Sequence, residues 1–232
     1  LIRGEELNSL SKIIITASGG AFRNLSKAEL FNVTPDQAAQ HPNWSMGKRI
    51  TIDSASLFNK ALEIIEAKEL FELSASEIEV LIHPQSLVHA IASFCDGGMK
   101  AHIGPPDMRH AIAYALYEEK RFNLTLAEVN LAEVGNLSFE KPDLFKYPAL
   151  KLGYEVLEQG GLAGAAFNAA KEEALDNFLD HKLSFLGMAD VVRATMDELS
   201  SKNQLGPVLD IEAVLDIDLR ARSIAKKFVD KF

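Results

Sequence analysis

Between His41 and Ala67 the chain reads "HPNWSMGKRITIDSASLFNKALEIIEA", which sets a tryptophan, a basic pair, three serines, an Asn-Lys pair and two glutamates among apolar residues. Asn59, Glu63 and Glu66 are spaced four and three apart, so on a helix they share one face, with Lys60 one residue round and three from Glu63. The grouping offers amide donors, a cation and hard carboxylate oxygens, and Glu63 has the chemistry of a Mg²⁺ or Mn²⁺ ligand. The plainer reading is a solvated helix face with one Lys–Glu pair. Reading "ITIDS" as a short strand and "SASLFNKALEIIEAKELF" as a helix puts Asp53, Ser54 and Ser56 at a helix N-terminus. There, free N–H groups and a partial positive charge favour an anion, so with Lys60 nearby this is a candidate phosphate site or an ordinary N-cap. The loop before it carries His41, Trp44, Met46 and Gly47. A tryptophan in a Pro/Gly loop can close over a substrate and exclude water, or can pack on its own domain.

Two other stretches hold chemistry-bearing residues. "TASGGAF" places Ser18 at a strand end beside two glycines, where backbone can approach an anion, though it is neither a dinucleotide fingerprint nor a Walker motif. "HPQSLVH" has His83 and His89 six apart, a spacing that does not share a helix face, so they read as structural or supporting residues. His102, His110 and His181 read as ordinary surface or core residues. No G-x-S-x-G and no Cys-x-x-Cys is present.

The elements that would position these residues follow from the pattern. "KIIITAS" is a β-branched buried strand ended by Gly19-Gly20. "SKAEL" carries a capping-box spacing, and Pro35 in "TPDQAAQ" marks a helix start. "HPNWSMGKR" reads as a loop. "EIEVLIHP" is a strand, and "VHAIASFCDGGMKAHIG" is a hairpin about Asp96-Gly97-Gly98. "DMRHAIAYALYEEKR" is a helix with apolar residues at 108, 111, 112, 115 and 116, and "NLTLAEVNLAEVGNLSFEKP" is an extended link. From Pro142 three helical patterns and a last helix follow, separated by glycine or loop residues.

The whole chain bounds the function. Its 232 residues hold an ample core, and 47% apolar with 25% charged residues is ordinary for a globular protein. A net charge of −9 argues against non-specific nucleic-acid binding but leaves room for a local basic anion site. The one cysteine, Cys95, allows no internal disulfide and fits a reducing compartment. No apolar run approaches the ~18 residues of a membrane span. The opening "LIRGEELNSLSK" lacks the apolar centre of a signal peptide. Leu1 in place of an initiator methionine leaves a missing upstream portion and a trimmed start equally open.

"ASGGAF", "HPNWSMGKRITIDSASLFNK", "EIIEA", "EVLIHPQSLVH", "GPPDMR" and "GGLAGAAFNAA" together resemble, in order and spacing, the 1-deoxy-D-xylulose 5-phosphate reductoisomerase family over essentially the whole chain. The resemblance implies an α+β fold: a central mixed-sheet catalytic domain with helices on one face over residues 1–117, with a lid loop at about 18–48, a linker at 118–143 and an all-helical domain at 144–232. It implies rearrangement and reduction of 1-deoxy-D-xylulose 5-phosphate to 2-C-methyl-D-erythritol 4-phosphate, an early step of non-mevalonate isoprenoid synthesis, with NADPH and Mg²⁺, Mn²⁺ or Co²⁺. Carried over by position, Ser18, Ser54 and Asn59 look like phosphate-binding groups, and Lys60 reaches the sugar hydroxyls. His41 contacts substrate, Trp44 is the lid residue, and Glu63 is a metal ligand. Lys60 and Glu63 are the catalytic pair, and Met46, Gly47 and Met108 contact the cofactor. The resemblance also implies a homodimer paired through sheet, without nucleic-acid or membrane partners, in the cytoplasm or, for a plant or algal source, a plastid. The family's Gly-rich nucleotide domain and its upstream Asp-Ser-Glu metal ligands have no counterpart here, and Ala17 and Ala21 stand where Gly and Pro are common. A non-catalytic sugar-phosphate-binding or assembly fragment, and a related sugar-phosphate oxidoreductase, are the alternatives.

Overall fold

The computed structural model describes residues 1–44, 46–117 and 120–231, apart from the Leu7 side chain. Ser45 of the loop, Glu118 and Glu119 of the fourth helical pattern and the terminal Phe232 lie outside the described residues. Elements run in the order β1 (Leu10–Ala17), α1 (Pro35–Ala38), α2 (Lys48–Ser56), α3 (Phe58–Phe71), β2 (Ile78–Ile82), β3 (Val88–Phe94), β4 (Met99–Ile103), α4 (Met108–Leu116), α5 (Leu131–Val134), α6 (Pro148–Gln159), α7 (Ala163–Leu179), α8 (Gly187–Ser201) and α9 (Ile211–Val229).

Among the described residues four strands form one mixed sheet in the order β2-β1-β3-β4. β1 pairs parallel with β2 and antiparallel with β3, and β3 and β4 form the hairpin. A parallel pair needs a long crossover, and here α1, α2 and α3 supply it. α3 and α6 cover one face: Leu57, Ile64 and Ala67 meet Ile78, Val80 and Ile82 of β2 and Leu150 and Leu157 of α6. After α5 the chain meets the end of β2, where Glu140 exchanges backbone hydrogen bonds with Ile82 at 2.8 and 2.9 Å.

A second core joins α2 and α3 to the C-terminal helices. Ala163, Ala166, Ala169, Ala170 and Ala174 give α7 a small-residue surface, against which Ala221 and Ala225 of α9 pack. Short side chains let helix axes approach closely at little loss of buried area. Phe167 and Phe58, with ring centroids 5.8 Å apart, tie this bundle to α3.

Several expectations are overturned, and the extended link over 123–142 contains the short helix α5. "ITIDS" is not a strand: residues 48–56 form helix α2. The alternation of Ile50 and Ile52 is too short to set a period of two. The hydroxyls of Thr51 and Ser56 bond to the carbonyls of Gly47 and Ile52, one helical turn back. The helix of "SASLFNKALEIIEAKELF" is likewise two helices, broken at Leu57, which adopts φ 62° and ψ 19°. Ser54 and Ser56 therefore lie in the last turn of α2, and the predicted helix N-terminus at Asp53–Ser56 does not exist. The single Gly-free left-handed turn costs on the order of 1 kcal/mol. It is held because Leu57 is buried between α3 and the sheet.

Candidate active site

The break at Leu57 decides what faces what. It turns the chain between Ser54 on α2 and Asn59, Lys60 and Glu63 on α3, so that all four line one cavity of about 580 Å³. Ser18 after β1, the loop residues His41, Trp44 and Met46, and Met108 of α4 belong to the same lining. Gly47 lies outside this lining and instead caps α2, its carbonyl accepting the Thr51 N–H at 3.1 Å. The cavity also takes in residues that spacing did not point to: Thr16, Ile50, Ser86, His89, His102, Asp107 and His110. The expectation that His102 and His110 are ordinary surface or core residues is overturned, since both form part of the wall. Their signal was weak because β4 pairing and the start of α4, not sequence neighbours, bring them together.

Ser18 is brought to the cavity by a close approach of backbone. Gly20 has φ +65°, and a Cβ there would lie 2.5 Å from Ala55 Cα and 2.7 Å from the Ser54 carbonyl oxygen. Only glycine lets the turn after β1 lie on the end of α2. From the other side Lys146 donates to the carbonyls of Phe22 and Arg23 at 3.0 and 2.7 Å, clamping the same turn. Burial lowers the Lys146 pKa.

His41 organises the loop. Its Nδ1 accepts the backbone N–H groups of Asn43 and Trp44 at 3.0 and 2.9 Å, so Nδ1 carries no proton. The neutral ring then has its hydrogen on Nε2, which donates to Ser18 Oγ at 2.9 Å. That oxygen also accepts from the Gly20 N–H at 3.1 Å, leaving the Ser18 hydroxyl hydrogen to be donated elsewhere. Burial, and next the nearby Arg23 charge, lower the His41 pKa and favour this neutral form. The Asn43 amide donates to the Pro84 carbonyl at 2.6 Å and to Ser86 Oγ at 2.9 Å, fastening the loop to the turn after β2.

On α3, Lys60 is largely enclosed, with 12% of its side chain exposed, and donates to both oxygens of Glu63 at 2.7 and 2.6 Å. Burial, and then the Glu63 charge, raise the Glu66 pKa. Two carboxylates this close create a demand for positive charge. Among the described residues, however, no group of three His, Cys, Asp or Glu is placed to hold a metal ion. Glu63 carries hard carboxylate oxygens of the kind a divalent ion takes.

Beneath the site, Asp53 points away from the cavity into α7, accepting from Lys171 Nζ at 2.8 Å. Lys171 is 3% exposed and also pairs with Glu172, which in turn pairs with Arg49 at the start of α2. Burial raises the Asp53 pKa against the pull of Lys171, and Asp53 Oδ1 has no hydrogen-bond partner.

A mixed sheet backed by helices thus brings Ser, Asn and Lys donors and an aromatic loop residue to one cavity. Residues 103–224 match the family model of the DXP reductoisomerase C-terminal domain, and residues 1–71 match that of the 1-deoxy-D-xylulose 5-phosphate reductoisomerase C-terminal domain. The chain belongs to the 1-deoxy-D-xylulose 5-phosphate reductoisomerase family. It is 51% identical over 223 residues to the enzyme of that name from Jannaschia sp., covering 96% of this chain and 57% of the relative. It is 49% identical over 227 residues to that of Ruegeria pomeroyi, covering 98% and 57%. The solved reductoisomerase from Zymomonas mobilis in complex with NADPH superposes with a TM-score of 0.87 at 39% identity, over 97% of this chain and 57% of that one. A reductoisomerase in complex with NADPH, fosmidomycin and magnesium gives 0.91 at 38% identity, over 95% and 55%. The chain thus spans a little over half the length of the relatives it matches. Among the described residues no helix is long and apolar enough to cross a membrane.

Proposed function

We propose that this chain supplies the substrate-binding and catalytic part of an NADPH- and divalent-metal-dependent reductoisomerase that converts 1-deoxy-D-xylulose 5-phosphate to 2-C-methyl-D-erythritol 4-phosphate. The observation that carries it is convergence: Ser18, His41, Trp44, Ser54, Asn59, Lys60, Glu63 and Met108, spread over some ninety positions of sequence, line one cavity. Its support from relatives is that solved members of the family hold NADPH and magnesium.

In this reading the Ser18 hydroxyl, Ser54 and the Asn59 amide anchor the phosphate, which fixes the distance from that anchor to the reacting carbons. Lys60 holds sugar oxygens and stabilises negative charge developing on them, in an enclosed place where such charge–charge interaction is strong. Glu63 keeps the ammonium placed and offers its oxygens to a divalent ion. Such an ion, when bound, polarises adjacent substrate oxygens. Trp44 covers the substrate, and Met46, Gly47 and Met108 contact the nicotinamide nucleotide. Hydride from that nucleotide reduces the aldehyde formed when the carbon skeleton breaks and rejoins, so one NADPH and one proton are consumed per product. We extend the reading to a homodimer paired through sheet, acting in the cytoplasm of a bacterial-type cell.

The test is NADPH oxidation by the full-length protein with 1-deoxy-D-xylulose 5-phosphate, with and without a chelator. Lys60→Ala and Glu63→Gln are expected to lower kcat/KM by about 100-fold, roughly 2.7 kcal/mol, with folding unchanged. Losses below about tenfold would reject these roles. A second reading, sugar-phosphate binding without turnover, is favoured by the incomplete metal-ligand set among the described residues. Turnover by this 232-residue chain alone would remove it.

A further inference from the structure

Three histidines that the proposed reaction does not use stand in a row along the cavity wall. His89 on β3 lies 5.5 Å from His102 on β4, and His102 stacks on His110 of α4 at 5.0 Å and 26°. At the inner end of the row the Trp44 ring meets His89 edge-on, at 6.2 Å and 66°. Four rings from four separate elements thus form one continuous contact that begins at the loop and ends in the first turn of α4.

We propose that His102 and His110 are positioning residues: their stacked rings hold His89 in the orientation against which Trp44 seats. This rests on the cavity being the place that Trp44 covers, but its test needs neither substrate nor cofactor. His89 is fixed on its far side by Nε2, which donates to the Gly104 carbonyl at 3.1 Å. His110 is fixed at Nε2, which faces the donor-only guanidinium of Arg121 at 3.4 Å. Between them His102 packs on both rings, so its ring transmits the position of α4 to His89.

The stack works as a seat only while its rings are mostly neutral. Adjacent imidazolium ions repel, and the neighbours offer no compensation. His89 sees His83 and His110, with only the Gly104 and Pro105 carbonyls favouring its charged form. His102 sees His89, His110, Arg121 and the amino terminus. The carboxylate on this wall, Asp107, is bound by Arg109 through three side-chain contacts of 2.6 to 3.1 Å, and Lys100 on β4 is paired with Glu5. Burial first, and then these like charges, hold His89 and His102 below the ordinary histidine value. Acid should therefore charge His89 and His102 late and disturb the seat when it does.

Trp44 reports on its own seat. The fluorescence of the protein minus that of its Trp44→Phe variant isolates this residue, and a protonated imidazole in contact quenches it. His102→Phe keeps a ring in the stack and removes the charge, whereas His102→Ala removes both. The difference signal is expected to fall with a midpoint below pH ~6.5 in the parent protein. In His102→Phe the ring that backs His89 is kept, so the signal at pH 8 should be unchanged. In His102→Ala the signal at pH 8 should itself change. A changed signal at pH 8 in His102→Phe, or a parental signal at pH 8 in His102→Ala, overturns the proposal. Should a variant fail to fold, the histidine ring-proton NMR titration of the parent protein decides: independent titrations of His89 and His102 at ordinary values overturn it equally. Failure of the reductoisomerase assay would leave this result untouched, so the two readings fall separately.

Discussion

The α7–α9 bundle and the α2–α3 break are built on opposite terms. The bundle buries alanines, leucines and phenylalanines in regular helices, and its internal hydroxyl, Thr195, bonds to the Val191 carbonyl one turn back. The break buries six successive residues, 51–56, of which Thr51, Asp53, Ser54 and Ser56 are polar. It then adds a left-handed leucine and a carboxylate oxygen without a partner. One region gains stability from nearly every residue; the other holds polar groups at a cost, and of them Ser54 faces the cavity. The difference teaches that the bundle is what permits the break. Asp53, Ile52 and Ala55 are held from behind by α7 and the surrounding core, so a strained, polar turn can persist in one conformation.

The comparison breaks hardest at Phe167, which is fully buried between α7 and α3. Phe167→Ala should destabilise the protein by about 3–5 kcal/mol in denaturant melts. If α7 acts only as support, kcat/KM measured well below the new melting point should change less than threefold. A larger kinetic loss would show that the bundle shapes the cavity directly.

The pair that joins the two regions comes next. Lys171→Met leaves Asp53 buried without its cation and should cost about 3 kcal/mol. Asp53→Asn on top of it removes the stranded charge and should recover part of that loss. Additive losses in the double variant would mean that the pair does not couple α2 to α7.

Gly20→Ala sharpens the contrast from the other side. A Cβ has no room against Ala55 and Ser54, and φ is positive, so a loss of about 1–3 kcal/mol is expected. Because the turn carries Ser18, KM for the phosphorylated substrate should rise at least tenfold while the bundle's hydrogen-exchange protection stays as it was. An unchanged KM would detach the Gly20 turn from the anion site.

Much of this was legible. β1, β2, the β3–β4 hairpin about Asp96–Gly98 and helices α6 to α9 follow from hydrophobic period and from Gly and Pro punctuation, because each uses local signals repeated over many residues. The grouping of Asn59, Lys60 and Glu63 on one helix was legible for the same reason. The "ITIDS" helix was not: two isoleucines in alternation favour a strand over a short window, and only burial on all sides, with hydroxyls folded back on the helix, reverses that preference. His102 and His110 were passed over because nothing in a linear chain marks rings that meet across a hairpin and a helix start.

By itself, then, the sequence determined the longer elements' types, the parts rich in apolar period and the identity of the polar groups available, since those depend on residues within a turn or two of one another. Tertiary structure alone decided that Ser54 and Lys60 face one cavity, that Gly20 lies against Ala55 and that Trp44 meets His89. Those contacts depend on where the chain bends and on which surfaces are buried against it. A single left-handed residue such as Leu57, adverse in isolation, is chosen only when the whole core is in place to hold it.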